Sequence, residues 1–180
     1  MRIAYVCADL GVPVFGQKGC SIHVQEIIRA FREHGAEIKL LAMSLGGKPA
    51  SDLGMVSLQP FAMSPKGTPG ERELVALRAN TELRKCLENE GPFDLVYERY
   101  SLWSYAGMEY AQAAGTPGLL EVNAPLIEEQ AKHRVLINRD MAEQIAERVF
   151  GAATALLAVS REVAAYVEKY KSARGKVHIV

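Results

Sequence analysis

Residues 3–43 read IAYVCADLGVPVFGQKGCSIHVQEIIRAFREHGAEIKLLAM and contain one complete strand–loop–helix–strand unit. The apolar run at residues 3–8 predicts a buried strand, and residues 38–43 predict a second one. Between them we expect a helix that Ser21 caps and Gly35 ends. Its apolar residues recur at i, i+3, i+4 and i+7, as on one buried face of a helix: Val24, Ile27, Ile28 and Phe31. The unit is typical of a parallel sheet covered by helices.

The same alternation of apolar runs and helical patterns continues along the chain. Further strands are predicted at residues 55–59, 95–97, 119–122, 155–159 and 176–180. Helices are predicted from Thr68 to about Glu90, over 101–114, from Pro125 to about Phe150, and after Ser160. The second helix should bury Leu74, Leu77, Leu83 and Leu87. The sequence therefore predicts an α/β fold, a Rossmann-like parallel sheet with helices on both faces.

Composition excludes several classes of protein. The 21 basic and 21 acidic residues give no net charge, whereas a nucleic-acid-binding protein would show a basic excess. Three cysteines without framework spacing predict a reducing compartment, so we expect a cytoplasmic protein. No apolar run approaches the length of a membrane span, and association with the inner membrane face stays open.

Polar residues collect where the predicted strands end. Asp9 follows the first strand, Glu98 and Arg99 follow the fourth, and Glu121 and Asn123 belong to the fifth. Ligands of open parallel sheets bind at the carboxyl ends of the strands, so we expect these side chains to line a cleft. Arg99 could clamp a phosphate or pair with a neighbouring acid, and Asn123 could bond a sugar hydroxyl or cap the following helix.

The loop Gly16-Gln17-Lys18-Gly19 precedes the first helix and is a candidate phosphate-binding loop. An ordinary turn is the other interpretation, because the G-x-x-G spacing matches neither the dinucleotide fingerprint nor the P-loop. His23 lies beside this loop, either as a cleft residue or as a surface residue. No histidine has further ligands at metal-site spacing, so no metal site is expected. No catalytic nucleophile is identified either.

Several motifs together resemble one enzyme family. They are residues 15–24 (FGQKGCSIHV), 94–100 (DLVYERY), 120–125 (LEVNAP), 152–154 (AAT) and 158–162 (AVSRE). In this order they resemble the N-terminal domain of the retaining, group 1 or family 4, glycosyltransferases of GT-B fold.

The resemblance implies transfer of a sugar from a nucleotide-sugar to an acceptor with retained configuration and without a bound metal. It implies that residues 1–180 form the acceptor-side domain, and that the C-terminal donor-binding domain is absent. Gly16 and Gly19 would face the donor phosphates, while Glu98 and Arg99 would line the acceptor cleft. Asn123 stands where many relatives carry a histidine that contacts the donor sugar, so that role is open.

Other functions remain possible at the level of sequence. The chain could be a self-contained Rossmann-like domain that binds a nucleotide or partner without catalysis, although it lacks G-x-G-x-x-G. A non-hydrolysing sugar-nucleotide epimerase has a similar architecture. The donor, the oligomeric state and the acceptor, whether a sugar, a lipid or a small molecule, cannot be read from these residues.

Overall fold

The computed structural model describes residues 1–54, 56–60 and 67–180 and shows the expected alternation of strands and helices. The strands are β1 (Arg2–Cys7), β2 (Glu37–Ala42), β3 (Ser57–Pro60), β4 (Leu95–Arg99), β5 (Gly118–Val122), β6 (Ala155–Ala158) and β7 (Val177–Ile179). The helices are α1 (Gly19–Glu33), α2 (Pro69–Glu90), α3 (Ala106–Ala114), α4 (Leu126–His133), α5 (Arg139–Ala152) and α6 (Arg161–Val167). The third strand thus lies at residues 57–60 rather than 55–59, and position 55 itself is outside the described residues.

All seven strands are parallel, in the order β3-β2-β1-β4-β5-β6-β7. The order reverses between β1 and β4, which is where open α/β sheets bind their ligands. At this point Cys7 pairs with Arg99, and Arg99 pairs with Glu121. The register therefore brings the predicted polar residues of β4 and β5 to one edge beside the end of β1.

Helices cover both faces of the sheet, as predicted. Helix α1 packs Val24 and Ile28 against one face, together with Ile3 and Tyr5 of β1. Buried side chains of α2 to α6 join the cluster on the other face, around Val6. The alternation of side chains along each strand decides which residues meet α1 and which meet the larger helical layer.

Three local predictions at helix ends are confirmed. Gly35 follows α1 with a φ of +78°, a conformation that glycine adopts without strain. The Thr68 side chain accepts a hydrogen bond from the N–H of Glu71, whose carboxylate bonds back to Thr68. The Ser160 hydroxyl accepts the N–H of Val163 at the start of α6. Each of these residues sets a helix end through its own conformation or a bond to a residue nearby in sequence. The local sequence was therefore sufficient to predict them.

The buried face of α2 differs from the prediction. Leu83 and Leu87 are buried, but Leu74 is 41% exposed. The neighbouring carboxylate of Glu73 points inward instead and is only 6% exposed. Its backbone partners at residues 137 and 138 explain why an acid is buried on this helix.

The helix predicted from Pro125 to about Phe150 is wrong, because the structure has two helices, α4 and α5, with a break between them. The Glu73 carboxylate accepts the N–H of Ile137 at 2.8 Å and the N–H of Asn138 at 2.9 Å. These are backbone groups that a continuous helix would bond internally. A buried acid from another helix therefore stabilises the break, and no local pattern reveals it.

The helix predicted over residues 101–114 is too long at its start, since α3 begins at Ala106 and Trp103 lies before it. Asn80 of α2 holds the preceding segment: its Oδ1 accepts the N–H groups of Tyr105 (2.8 Å) and Ala106 (3.0 Å). Its Nδ2 donates to the carbonyl of Trp103 at 2.8 Å. A side chain distant in sequence thus caps α3 and fixes where it begins.

Candidate functional site

The loop after β1 is folded back on itself at its start. The Asp9 carboxylate accepts the N–H of Gly11 at 2.7 Å, which closes a tight turn. Asp9 is half-buried and lies at the predicted edge of the sheet. One of its oxygens thus has a local structural role.

The following loop segment is anchored by Gln25, a buried residue of α1. Its Nε2 donates to the carbonyls of Val14 (2.8 Å) and Gly16 (3.1 Å). The N–H of Val14 bonds to the carbonyl of Ser44 at 3.0 Å, so the loop is also tied to the segment after β2. The loop is therefore held from two sides, with its backbone in a defined position at the start of α1.

The two loop glycines have different surroundings. A Cβ on Gly16 would lie 2.9 Å from the carbonyl oxygen of Pro13 and 3.1 Å from the hydroxyl of Ser21. A Cβ on Gly19 would meet nothing within 4 Å. Neither glycine has a positive φ. Packing within the loop thus explains why position 16 is a glycine, whereas no contact among the described residues requires a glycine at position 19.

Helix α1 begins earlier than predicted, and Ser21 is not its cap. The N-cap is Lys18, which makes no capping hydrogen bond through its side chain. Ser21 lies inside the first turn, fully buried, and donates its N–H to the carbonyl of Lys18. Gln17, Lys18 and Gly19 are all exposed. The positive end of the α1 dipole therefore faces solvent without a side-chain cap, as an anion site would require.

Glu121 is the buried centre of the site. Its side chain is 2% exposed, and Oε1 forms a short hydrogen bond with Nε2 of His23 on α1. The His23 side chain is 38% exposed. The sequence predicts both residues at the cleft but does not predict their pairing. The bond joins β5 to the first turns of α1 and orients the imidazole.

Arg99 lies on the same strand edge. Its Nη1 is 3.9 Å from Oε2 of Glu121, within ion-pair range but beyond a hydrogen bond, and the side chain is 14% exposed. Of the two interpretations of Arg99, the structure supports an ion pair with a neighbouring acid, and the acid is Glu121 rather than Glu98. Nη1 makes no hydrogen bond to any residue that the structure describes.

Two tyrosines lie beneath this group, and neither was predicted as a site residue. The rings of Tyr5 and Tyr97 stack with their centroids 5.2 Å apart. Burial raises the pKa of both phenols, and the Glu121 carboxylate raises these pKa values further. Both rings thus remain neutral beside Glu121. The only available signal was strand alternation, which places Tyr97 on the same face as Arg99.

Glu98 does not line the cleft as predicted. Its side chain is fully buried on the opposite face of the sheet, where Oε1 accepts the Ser104 hydroxyl. Burial raises the pKa of Glu98 to about 7, while bonds from Ser104 and the Met108 backbone lower it. The prediction failed because adjacent strand residues point to opposite faces, so Glu98 and Arg99 cannot both face α1.

Asn123 is not a helix cap, because the N-cap of α4 is Pro125. The Oδ1 atom of Asn123 is buried and has no hydrogen-bond partner among the described residues. Asn123 follows β5 directly, two residues beyond Glu121. Of its two interpretations, contact with a ligand hydroxyl is the one that the structure leaves open.

Potential metal ligands are scattered over the residues that the structure describes. In that part of the chain, no three His, Cys, Asp or Glu side chains come together as a metal ion would require. The arrangement offers instead an uncapped helix end, an imidazole held by a carboxylate, and a guanidinium. Such groups bind anions and hydroxyls by charge and hydrogen bonding.

Comparison with known sequences identifies the family. Residues 18–180 match the sequence profile described as Glycosyltransferase Family 4. The chain belongs to this family. The family 4 match begins at Lys18, the N-cap of α1, and covers every later element of the fold. A comparison with curated protein sequences gives no significant match.

Solved structures place this family 4 chain in the GT-B fold. Sucrose-phosphate synthase from Thermosynechococcus elongatus superposes with a TM-score of 0.72 at 14% identity, over 99% of this chain and 47% of that one. Anabaena HepE in complex with UDP gives a TM-score of 0.61 at 15% identity, over 100% and 43%. UDP-GlcNAc 2-epimerase from Methanocaldococcus jannaschii gives 0.55 at 17% identity, over 100% and 45%.

The chain thus spans less than half the length of these three structures. At such identities the superpositions establish the fold alone, and that fold includes both transferases and an epimerase. The profile match decides between these two classes and assigns this chain to the glycosyltransferases. The predicted resemblance and fold class are therefore confirmed. No helix in residues 1–54, 56–60 and 67–180 is both long and apolar enough to cross a membrane.

Proposed function

We propose that this chain is the acceptor-side half of a glycosyltransferase that moves a sugar from a nucleotide-sugar to an acceptor with retained configuration. A second, donor-binding domain completes its cleft. The observation that carries the proposal is the superposition of the whole chain on 43% of HepE, a protein solved with UDP. Family 4 membership supports the transferase chemistry.

The open end of α1 supports a role in receiving the donor phosphates. The exposed loop residues Gln17, Lys18 and Gly19 surround N–H groups that no side chain caps, and Gly19 leaves room for a ligand. A diphosphate there gains from the helix dipole and from the nearby Lys18 charge. We propose no resident cofactor or metal, and the nucleotide-sugar enters as a substrate.

The polar edge beside α1 supports acceptor binding. His23, Arg99 and Asn123 offer a ring nitrogen, a guanidinium and an amide oxygen at the carboxyl ends of β4 and β5. Sugar hydroxyls are recognised by such donors and acceptors, each bond contributing about 1 kcal/mol. The acceptor class, whether sugar, lipid or small molecule, is left to experiment. A cytoplasmic location belongs to the same proposal, on the basis of the cysteine pattern.

The proposal is tested with a protein that joins this chain to the donor-binding domain. UDP-, GDP- and ADP-sugars are offered with a panel of acceptors, and the glycosylated product and its anomeric configuration are read by NMR. We expect product with the anomeric configuration of the donor. Inverted product contradicts the retaining mechanism, and absence of product with every pair contradicts the transferase assignment.

A matched pair of arginine variants localises the activity. Arg99→Ala removes a partly buried guanidinium at the proposed cleft, whereas Arg29→Ala removes one that bonds the exposed Asp52. We expect Arg99→Ala to reduce transfer at least tenfold, because hydrogen bonds to charged groups contribute about 1.5–3 kcal/mol. Arg29→Ala should retain activity. Equal activity in both variants would place the acceptor elsewhere.

A further inference from the structure

The hydrogen bond between Glu121 and His23 joins a fully enclosed carboxylate to a ring that reaches solvent. The Glu121 side chain is 2% exposed and that of His23 is 38% exposed. Glu121 lies in β5 and His23 in α1, so the bond spans two elements that the sheet topology brings together. A bond of this kind fixes one edge of the imidazole and leaves the other available.

The acid determines which ring nitrogen carries the proton. An ionised carboxylate can only accept hydrogen bonds, so Nε2 of His23 must be the donor. The other neighbours of Glu121 also leave it a hydrogen-bond acceptor. Arg99 Nη1 lies 3.9 Å from Oε2, and the neutral Tyr97 phenol is a donor to the same carboxylate.

With the proton on Nε2, the neutral ring has an unprotonated Nδ1. That nitrogen is then a hydrogen-bond acceptor, and it has no bond to any residue that the structure describes. His23 lies five residues after the exposed N-cap Lys18, at the edge where the sheet order reverses. Hydroxyl groups, which sugars carry in abundance, are the natural donors to such a nitrogen.

We propose that Glu121 is a positioning residue that fixes the Nε2–H tautomer of His23, so that Nδ1 accepts a hydrogen bond from a hydroxyl of the acceptor substrate. The substrate part rests on the proposed function, whereas the tautomer does not. Glu121 itself acts only through His23.

His34 provides an internal reference of opposite type. Its Nδ1 bonds to the carbonyl of Ala30 at 2.9 Å, so Nδ1 must be the protonated nitrogen there. The two histidines of α1 should therefore show opposite tautomers in one sample. His34 is exposed and far from Glu121, so a change at Glu121 should not affect it.

The tautomer is measured on this 180-residue chain by long-range ¹H–¹⁵N NMR, at a pH where the ¹⁵N shifts of both rings are those of neutral imidazole. We expect the Nε2–H pattern for His23 and the Nδ1–H pattern for His34. In Glu121→Gln the amide can donate or accept, so His23 should become a mixture while His34 is unchanged. A wild-type His23 in the Nδ1–H form overturns the proposal without any variant. So does an unchanged His23 pattern in a folded Glu121→Gln.

Kinetics of the two-domain protein test the substrate contact. His23→Gln keeps a donor to Glu121 but lacks the Nδ1 acceptor, so acceptor kcat/KM should fall about tenfold at unchanged melting temperature. In Glu121→Gln, acceptor kcat/KM should fall about threefold, because only part of the His23 rings would keep an unprotonated Nδ1. Full activity of His23→Gln overturns the substrate contact even if the tautomer is as expected. Failure of wild-type transfer refutes the proposed function and leaves the tautomer result standing.

Discussion

At the scale of single residues, Glu98 illustrates how a charged side chain can be structural. Its fully buried carboxylate sits against the start of α3, where a Cβ on Gly107 would collide with Oε2. The Ser104 hydroxyl and the Met108 backbone stabilise the ionised form there. Burial outweighs both and raises the pKa from 4.5 to about 7. The folded state therefore holds this proton more tightly than the unfolded chain.

We predict that Glu98→Gln removes a pH dependence of stability. In the wild type, Glu98 contributes stability that is complete below about pH 4.5 and is lost as the pH rises through about 7. The shift corresponds to about 3 kcal/mol. Urea unfolding of both proteins from pH 4 to 8 should show that the free energy of unfolding of Glu98→Gln, relative to that of the wild type, increases as the pH rises. The exposed control Glu82→Gln should track the wild type, and parallel curves for Glu98→Gln would refute the assignment.

The loop glycines give a second prediction at this scale. Gly19→Val adds a side chain into open space, so the melting temperature should stay near wild type while transfer by the two-domain protein falls at least tenfold. Gly16→Val should instead destabilise the fold by about 1–3 kcal/mol, because its side chain meets Pro13 and Ser21. Paired melting and activity measurements separate the two effects. An active Gly19→Val protein would exclude this loop from the donor site.

At the scale of secondary structure, the break between α4 and α5 depends on one distant acid. Glu73 accepts the N–H groups of Ile137 and Asn138 and also the Asn138 side-chain amide at 2.8 Å. The bonds join α2 to the start of α5. Without this acceptor, the same N–H groups would be partly buried and unpaired.

We therefore predict that Glu73→Ala lowers the free energy of unfolding by about 2–4 kcal/mol, since charge-assisted bonds are lost and their donors left without a partner. Glu82→Ala on the exposed side of the same helix should change stability by less than about 0.5 kcal/mol. Urea denaturation measures both variants. Hydrogen exchange at Ile137 and Asn138 should accelerate in Glu73→Ala alone. Unchanged exchange at these amides would show that the break is stabilised by other contacts.

At the scale of the whole molecule, the proposed reaction needs groups from two domains. This chain superposes on less than half of each compared structure, and in the proposed enzyme its polar edge supplies one side of the cleft. Holding donor and acceptor together provides much of the rate of such enzymes. The 180-residue chain by itself should therefore show no sugar transfer.

Nucleotide binding by this chain alone should be weak for the same reason. We predict no clear thermal shift with millimolar UDP-, GDP- or ADP-sugars, measured by calorimetry. A ligand at 100 times its dissociation constant would add about 2.7 kcal/mol of stability. A shift of that size would favour the alternative of a self-contained nucleotide-binding domain. The same scan with the free sugars serves as the control and should also give no shift.

The polar residues show how far sequence reasoning extends toward the site. The positions of the strand ends in the sequence predicted that Arg99, Glu121 and Asn123 would share one edge of the sheet. The strand register confirms this for Arg99 and Glu121, which are paired. The assignment of Glu98 to the same cleft was wrong, because its side chain points to the other face. The pairing of Glu121 with His23 could not be predicted, since 98 residues separate them.

The sequence by itself determined the α/β class, the parallel sheet and most helix ends. Those features depend on local periodicity and on nearby capping groups such as Thr68, Gly35 and Ser160. Only the tertiary structure decided the break between α4 and α5, the start of α3 and the neighbours of each polar residue. These depend on bonds from Glu73 and Asn80 to backbone groups distant in sequence. The physical reason is that a buried polar side chain takes the partner that the fold places beside it, and a local pattern does not record that partner.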